Sequence, residues 1–219
     1  MTATTTDSDT GPGPDTDTPS GADVDAPAPR FRTGAGRLCL DFLRTLRHRG
    51  TLDAVEELPD AAALSAWVVQ CGPCVPASRQ VSADAGQVRD AHGLREAVYE
   101  LVTVGRTVGG VASSSFLSRE LVNRAAKCPT PVPRVGASGA LLWTSSDAVA
   151  ATLSLVARDA IDLVTSDALH RVRECADESC SALFSDNSRP GNRRWCSMGA
   201  CGNRAKKNGL RSRATVRRP

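Results

Sequence analysis

Four cysteines near the C-terminus constrain this chain more than any other feature. Cys175, Cys180, Cys196 and Cys201 follow the spacing C-x4-C-x15-C-x4-C. Two close pairs separated by about fifteen residues are the pattern of a structural zinc site. A short loop lets each pair present two thiolates, and the longer insert brings the second pair back to complete a tetrahedron. Between the pairs, residues 182–186 (Ala-Leu-Phe-Ser-Asp) read as a short strand, and residues 187–192 are a dense cluster of turn formers. Residues 193–195 (Arg-Arg-Trp) read as the returning strand of a hairpin. Its large apolar side chains are Leu183, Phe184 and Trp195, too few to hold a fold without a staple. Zinc binding is worth roughly 10–16 kcal/mol in small finger peptides and supplies that staple. Two disulfides in a secreted module are the alternative, and the N-terminus carries no charged start and apolar stretch of the signal-peptide kind.

The last fifty residues also carry a sequence resemblance. Cys201-Gly202-Asn203-Arg204, preceded by Arg193-Arg194-Trp195-Cys196-Ser197-Met198, resembles the CGNR zinc finger of bacterial proteins, and Leu183 to Asp186 with Ser188 match that family between the cysteine pairs. In that family the finger follows an ABATE domain, a module described as a stress-response transcription regulator. Several upstream points match that domain. Leu40-Asp41-Phe42 with Thr45 resembles its opening motif, Trp67 sits where its second helix carries a tryptophan, and Leu94-Arg95 resembles its central pair. Asn123 matches an asparagine in its next helix. The chain departs from the pattern at Arg44, which stands where the family has asparagine. An arginine there either recruits an anion or is a solvated surface residue.

Charge is polarised along the chain. Residues 1–30 carry six Asp and one Arg, residues 31–169 are balanced, and residues 170–219 carry twelve Lys or Arg against four acids, a balance of +8. Four thiolates and one Zn²⁺ contribute −2, leaving about +6 for finger and tail. The first thirty residues, almost without apolar side chains, read as a disordered acidic leader. The hydrophobic fraction is 41% and no apolar run approaches the ~18 residues that span a membrane, so the reading is a cytoplasmic protein without membrane contact.

Folded structure is expected from Phe31. Leu38, Phe42 and Leu46 recur at four and predict a helix; Asp60 predicts the cap of a second with Leu64, Trp67 and Val68 inward. Ser82 to Gly105 is the clearest helix, followed by Ser115 to Lys127, which residues 130–133 (Thr-Pro-Val-Pro) end. Residues 139–143 read as a short strand, and Asp147 caps a last helix with Val149, Leu153, Val156, Ala160 and Val164 inward. The expected architecture is mainly α: a helical ABATE-like domain over 31–168 with a short strand or hairpin, then a zinc-bound β-hairpin-plus-helix module over 169–212 and a basic tail over 213–219.

Other motifs are weaker. Cys71-Gly72-Pro73-Cys74 has the redox spacing of thioredoxins but follows a helix instead of opening one, the wrong end of the helix dipole. An incidental surface dithiol is the plainer reading. Cys39 and Cys128 read as packed core residues. His48, His92 and His170 form no motif; His92 and Arg95 share what reads as a polar helix face. No catalytic grouping is visible, and no enzymatic activity is expected.

After Cys201 the chain predicts a short helix starting at the metal, with Arg204, Lys207 and Arg211 on one face. Arg193, Arg194, Lys206 and Lys207 extend the basic surface, which suits phosphate neutralisation. Asn203 and Arg204 are the side chains for base reading, by the bidentate pairings of adenine and guanine. The functional expectation is a zinc-containing DNA-binding transcription regulator whose helical domain senses a small-molecule signal or forms a homodimer. The alternatives are a zinc-stabilised protein-interaction module without nucleic-acid contact, and a redox protein using Cys71 and Cys74.

Overall fold

The computed structural model describes residues 31–73 and 81–208. The acidic leader, Cys74 and the tail with Arg211 lie outside the described residues.

Five α-helices build the body: α1 Leu38–Leu43, α2 Ala61–Cys71, α3 Ala85–Gly105, α4 Phe116–Lys127 and α5 Ala148–Val164. Their starts follow cap chemistry. Asp60, Asp84, Ser115 and Asp147 each accept a hydrogen bond from a backbone N–H three residues on, which satisfies one orphan donor of the first turn. Asp84 and Gln87 form a reciprocal capping box, so α3 begins at Ala85, later than the Ser82 start that periodicity suggests.

Helices α3, α4 and α5 pack together, with α1 and α2 against α5 and α3. With few aromatics available, the interior is mostly Leu, Val and Ala; Phe42 and Trp67 supply the bulk, their ring centroids 5.0 Å apart. Asp159 on α5 ties α1 down: its carboxylate accepts from the Cys39 backbone N–H at 2.8 Å and pairs with Arg37 at 2.8 Å.

Helix α1 is shorter than the four-residue spacing predicts. It ends at Leu43, the Thr45 hydroxyl bonds the Phe42 carbonyl at 2.7 Å, and Leu46 falls in a two-residue strand, β1 Leu46–Arg47, paired antiparallel with β2 Val55–Glu56. This small hairpin positions Glu56 against Arg95, whose Nη1 donates to Glu56 Oε1 at 2.7 Å and to the Thr45 hydroxyl at 3.0 Å. The Arg95 side chain is only 3% exposed. It is a buried ion-pair partner, not part of a solvated polar face.

The expected strand near Leu141 pairs with a segment that looked like a mere helix terminator. Strand β3 Val132–Val135 and β4 Leu141–Thr144 form an antiparallel hairpin with Pro133 opposite Trp143. Proline lacks a donor, and an edge strand is where that is tolerated.

A third hairpin corrects the reading of the cysteine module. Strand β6 Leu183–Ser185 pairs with β5 Val172–Glu174, upstream of the first cysteine, and not with residues 193–195, which form no strand. Asp186 explains the difference. Its carboxylate accepts from Ser188 N–H at 3.0 Å, the Ser188 hydroxyl at 2.6 Å and Arg193 N–H at 2.8 Å. Residues 187–193 therefore wrap around one side chain, and the Arg193 N–H is unavailable to a ladder.

Strand β6 also docks on the helical body. Ser185 N–H donates to Ala35 O at 2.7 Å, and Gly36, at φ +90°, has no side chain to obstruct it; a Cβ there would lie 3.1 Å from Ser185 Cβ. Leu183 and Phe184 join the apolar interior that contains Phe42 and Trp67.

Candidate metal centre

Each cysteine pair is held by a polar loop. Strand β5 delivers Cys175, whose N–H bonds Ala182 O at 2.9 Å and continues the ladder by one step. Asp177 accepts from Ser179 N–H and from the Ser179 hydroxyl at 2.8 Å, while its own carbonyl accepts from Cys180 N–H at 2.8 Å. Ser181, at φ +47°, reverses the chain into β6. This tight turn places Cys180 beside Cys175.

The second pair is positioned by Arg193. Its Nε donates to Trp195 O at 2.8 Å, its Nη2 donates to Cys196 O, and its guanidinium lies 4.7 Å from the Phe184 ring centre. The Ser197 hydroxyl caps a π-type turn, Met198–Gly202, which carries Cys201 and leads into a helical run at 203–208.

The four sulfurs converge. All lie within 4.8 Å of one another, and all four cysteines are buried. Cys180 and Cys196 Sγ are 3.6 Å apart, and Cys196 and Cys201 Sγ are 3.7 Å apart. A tetrahedral zinc with Zn–S of ~2.3 Å requires a sulfur–sulfur edge of ~3.8 Å, whereas a disulfide needs ~2.05 Å. The spacing fits a four-thiolate metal site, and every cysteine among the described residues is free. Cys196 N–H approaches Cys175 Sγ at 3.5 Å, the kind of backbone donor that supports a metal-bound thiolate. Taken without a cation, the cluster resists full ionisation: hydrogen bonding to Cys180 and burial raise Cys196, and burial raises Cys201, to about 12. Cys180, accepting from Cys196, falls to about 5. A divalent cation is what would allow four thiolates to coexist here.

The family model of ABATE, described as "Putative stress-induced transcription regulator", matches residues 36–167. The chain belongs to the ABATE family. The CGNR zinc finger model matches residues 171–214, immediately downstream. No curated protein matches the chain.

In this ABATE protein the sequence-predicted basic residues have different surroundings. Arg193 is spent on the carbonyls of the second cysteine loop. Arg204 folds back on the first: its Nη1 donates to the Ser179 hydroxyl at 2.7 Å, and its Nε lies 3.4 Å from Asp177 Oδ2. The Asn203 amide bonds Gly199 O at 3.1 Å while the residue stays exposed. Arg194 is exposed and stacks over Trp195, and Lys206 and Lys207 are exposed on the helical run. His170 is exposed and does not join the thiol cluster.

Asp177 and Ser179 have no part in the sequence reading, and Asp186 enters it only as the end of a strand and of the family match, though all three shape the loops. An Asp two residues before a Ser recurs at 177–179 and at 186–188, and that local turn pattern was the available signal.

Elsewhere, Cys39 is fully buried and its thiol is pushed up by burial. Cys71 closes α2, where burial and then Asp41 push its thiol up to about 11, the opposite of an activated thiolate. Arg44 is buried, which removes the solvated-surface reading of that position. Among the described residues, no helix is long and apolar enough to cross a membrane.

Proposed function

We propose that this ABATE protein is a zinc-containing, DNA-binding transcription regulator acting in the cytoplasm, not an enzyme. Cys175, Cys180, Cys196 and Cys201 hold one Zn²⁺, whose role is structural because four thiolates leave no open coordination position. The helical part senses a signal or forms a homodimer. The observation that carries the reading is the helical run 203–208, which starts at the thiol cluster and presents Asn203, Lys206 and Lys207 to solvent. It lies in a segment with a charge balance of +8. A metal-fixed helix start brings those charges together with little ordering cost on binding.

The residues divide by role. Lys206, Lys207 and Arg194 contact phosphates, with Arg211 and the tail adding attraction. Asn203 reads a base edge. Arg204, part of whose guanidinium is already engaged, contributes its remaining donors, and Arg193 acts by shaping the second cysteine loop. The test is a titration of labelled duplex DNA at several salt concentrations with the zinc-loaded chain. A steep loss of affinity with salt is expected. Absence of affinity at low salt overturns the reading and favours a zinc-stabilised protein-interaction module.

A further inference from the structure

We propose that the cleft between α3, α4 and α5 is a binding site for a small monocarboxylic acid with an apolar body. The inference names a ligand class for the sensing role proposed above, and it rests on that reading for its biological use. The cleft measures about 320 Å³, at the lower end of the roughly 300–1,000 Å³ of small-molecule pockets. Leu94 from α3, Leu121 from α4 and Leu153 from α5 line it. Leu94 and Leu153 are buried and Leu121 is half-buried. An aliphatic floor gains by covering hydrocarbon and nothing by covering a sugar or a bare ion.

Gly93 keeps the cleft open. It lines the cleft from the interior of α3, where glycine is among the least favourable residues. Its φ is not positive, and an added Cβ would meet no atom within 4 Å. Neither the backbone conformation nor a close approach calls for glycine there; what it provides is room.

Charge selects the head group. Arg89 from α3 and Arg124 from α4 line the cleft and are exposed. Among the described residues neither makes an ion pair or a side-chain hydrogen bond, whereas Arg37, Arg49 and Arg95 are held by carboxylates. Gln87, also at the cleft, is spent on Asp147, to which its amide donates at 2.8 Å. Asp90 is the one carboxylate that lines the cleft among the described residues. Two guanidiniums against one carboxylate leave one net positive charge, which suits a monoanion and not a phosphate dianion. The guanidinium fork receives a carboxylate through two parallel donors. Helix α5, which carries Leu153, leads through residues 165–171 into β5 and the first cysteine. A ligand on Leu153 therefore rests on the element that enters the metal module.

The experiment is calorimetric titration of the zinc-loaded full chain with octanoate and with phenylacetate. Acetate and the two corresponding amides serve as references. At least one of the two acids is expected to bind as one molecule per chain. Acetate and the amides are expected to bind about tenfold or more weakly, having lost either the apolar burial or the charged hydrogen bond. Arg89→Gln and Arg124→Gln are each expected to raise the dissociation constant about fivefold or more, since each removes a charged donor. Arg106→Gln, at the other end of α3, is expected to leave it unchanged. Gly93→Leu is expected to fold, as read by circular dichroism, and to lose binding because its side chain fills the cleft. Bound acid is also expected to slow alkylation of Cys128, a half-buried free thiol that lines the cleft, read residue by residue by mass spectrometry.

No binding beyond acetate, an amide that binds as tightly as its acid, or full affinity in both arginine variants overturns the proposal. Retained binding in folded Gly93→Leu places the acid elsewhere and overturns it too. If Gly93→Leu does not fold, the arginine variants and Cys128 alkylation decide. Sedimentation tests another occupant: if the chain self-associates and Gly93→Leu makes it monomeric, the cleft is a subunit interface and the ligand proposal fails. Acid binding is read without DNA, so this inference and the DNA-binding reading fail separately.

Discussion

Arg204 donates to the Ser179 hydroxyl at 2.7 Å, which turns the arginine of the CGNR motif inward onto the loop between the first two cysteines. With Asp177 Oδ2 3.4 Å from Nε, the contact clamps the start of the helical run to the far side of the thiol cluster. The motif is thus a fastening within the module before it is anything toward a partner.

Replacing that clamp is expected to loosen the metal site. Arg204→Ala should lower module stability by about 1 kcal/mol, since the pair is partly exposed and includes one hydrogen bond to a neutral hydroxyl. The measurement is zinc competition with a chelator, where a several-fold weaker retention is expected. Asp177→Asn should reproduce it. Unchanged retention in both variants, with relaxed DNA specificity in Arg204→Ala alone, would assign the arginine to base reading instead.

Metal analysis of the purified chain is expected to give one zinc per molecule. Cys175→Ser should lose it and melt the module while the helical body, with its own capped helices and apolar faces, stays folded. The body should still lose a few kcal/mol, because Leu183 and Phe184 leave its interior. Circular dichroism should therefore keep most of its helical signal with a lower melting temperature. Collapse of the helical signal would show that the two regions fold as one unit.

Lys206 and Lys207 are exposed on the helical run. Lys207→Ala should weaken binding to all duplex sequences alike and lower the slope of log affinity against log salt by about one unit. Asn203→Ala should instead cost about 1–3 kcal/mol and relax one position of the recognised sequence. Titrations at several salt concentrations distinguish the two. Variants that both bind like the wild type would remove this face from the DNA contact.

The Arg95–Glu56 pair carries an acid sensitivity. Burial alone would raise the Glu56 carboxyl, but the Arg95 guanidinium, the Leu58 N–H and His92 outweigh it, and the net shift is downward. A carboxylate depressed in the folded state stabilises the fold above the unfolded value of ~4.3, and that contribution is lost as pH falls through the lower folded value. Glu56→Gln should therefore flatten the fall in melting temperature below about pH 5. Arg95→Met, which leaves Glu56 without its partner, should cost about 3 kcal/mol at neutral pH. A parallel pH profile in Glu56→Gln and wild type would exclude this linkage.

Local chemistry made much of this protein legible from its sequence. The cysteine spacing, the caps at Asp60 and Asp147, and the inward faces of α3 and α5 each depend on residues within a few positions of one another, so periodicity and cap preference report them directly. The motif at 201–204 likewise marked the family without any coordinates.

Long-range partners were decided only by the tertiary structure. Which strand pairs with β6 depends on Asp186 capturing the loop that follows it, a competition between two acceptable ladders that strand propensity does not resolve. Whether Arg95 and Arg44 are surface or interior depends on partners outside their own helices, Glu56 from β2 for Arg95 and the Thr33 carbonyl from the segment before α1 for Arg44. Arg193 and Arg204 read as free cations in a basic segment because a charge in sequence carries no record of its acceptor. The fold supplies the acceptors, and with them the difference between a side chain that builds the module and one left to meet a partner.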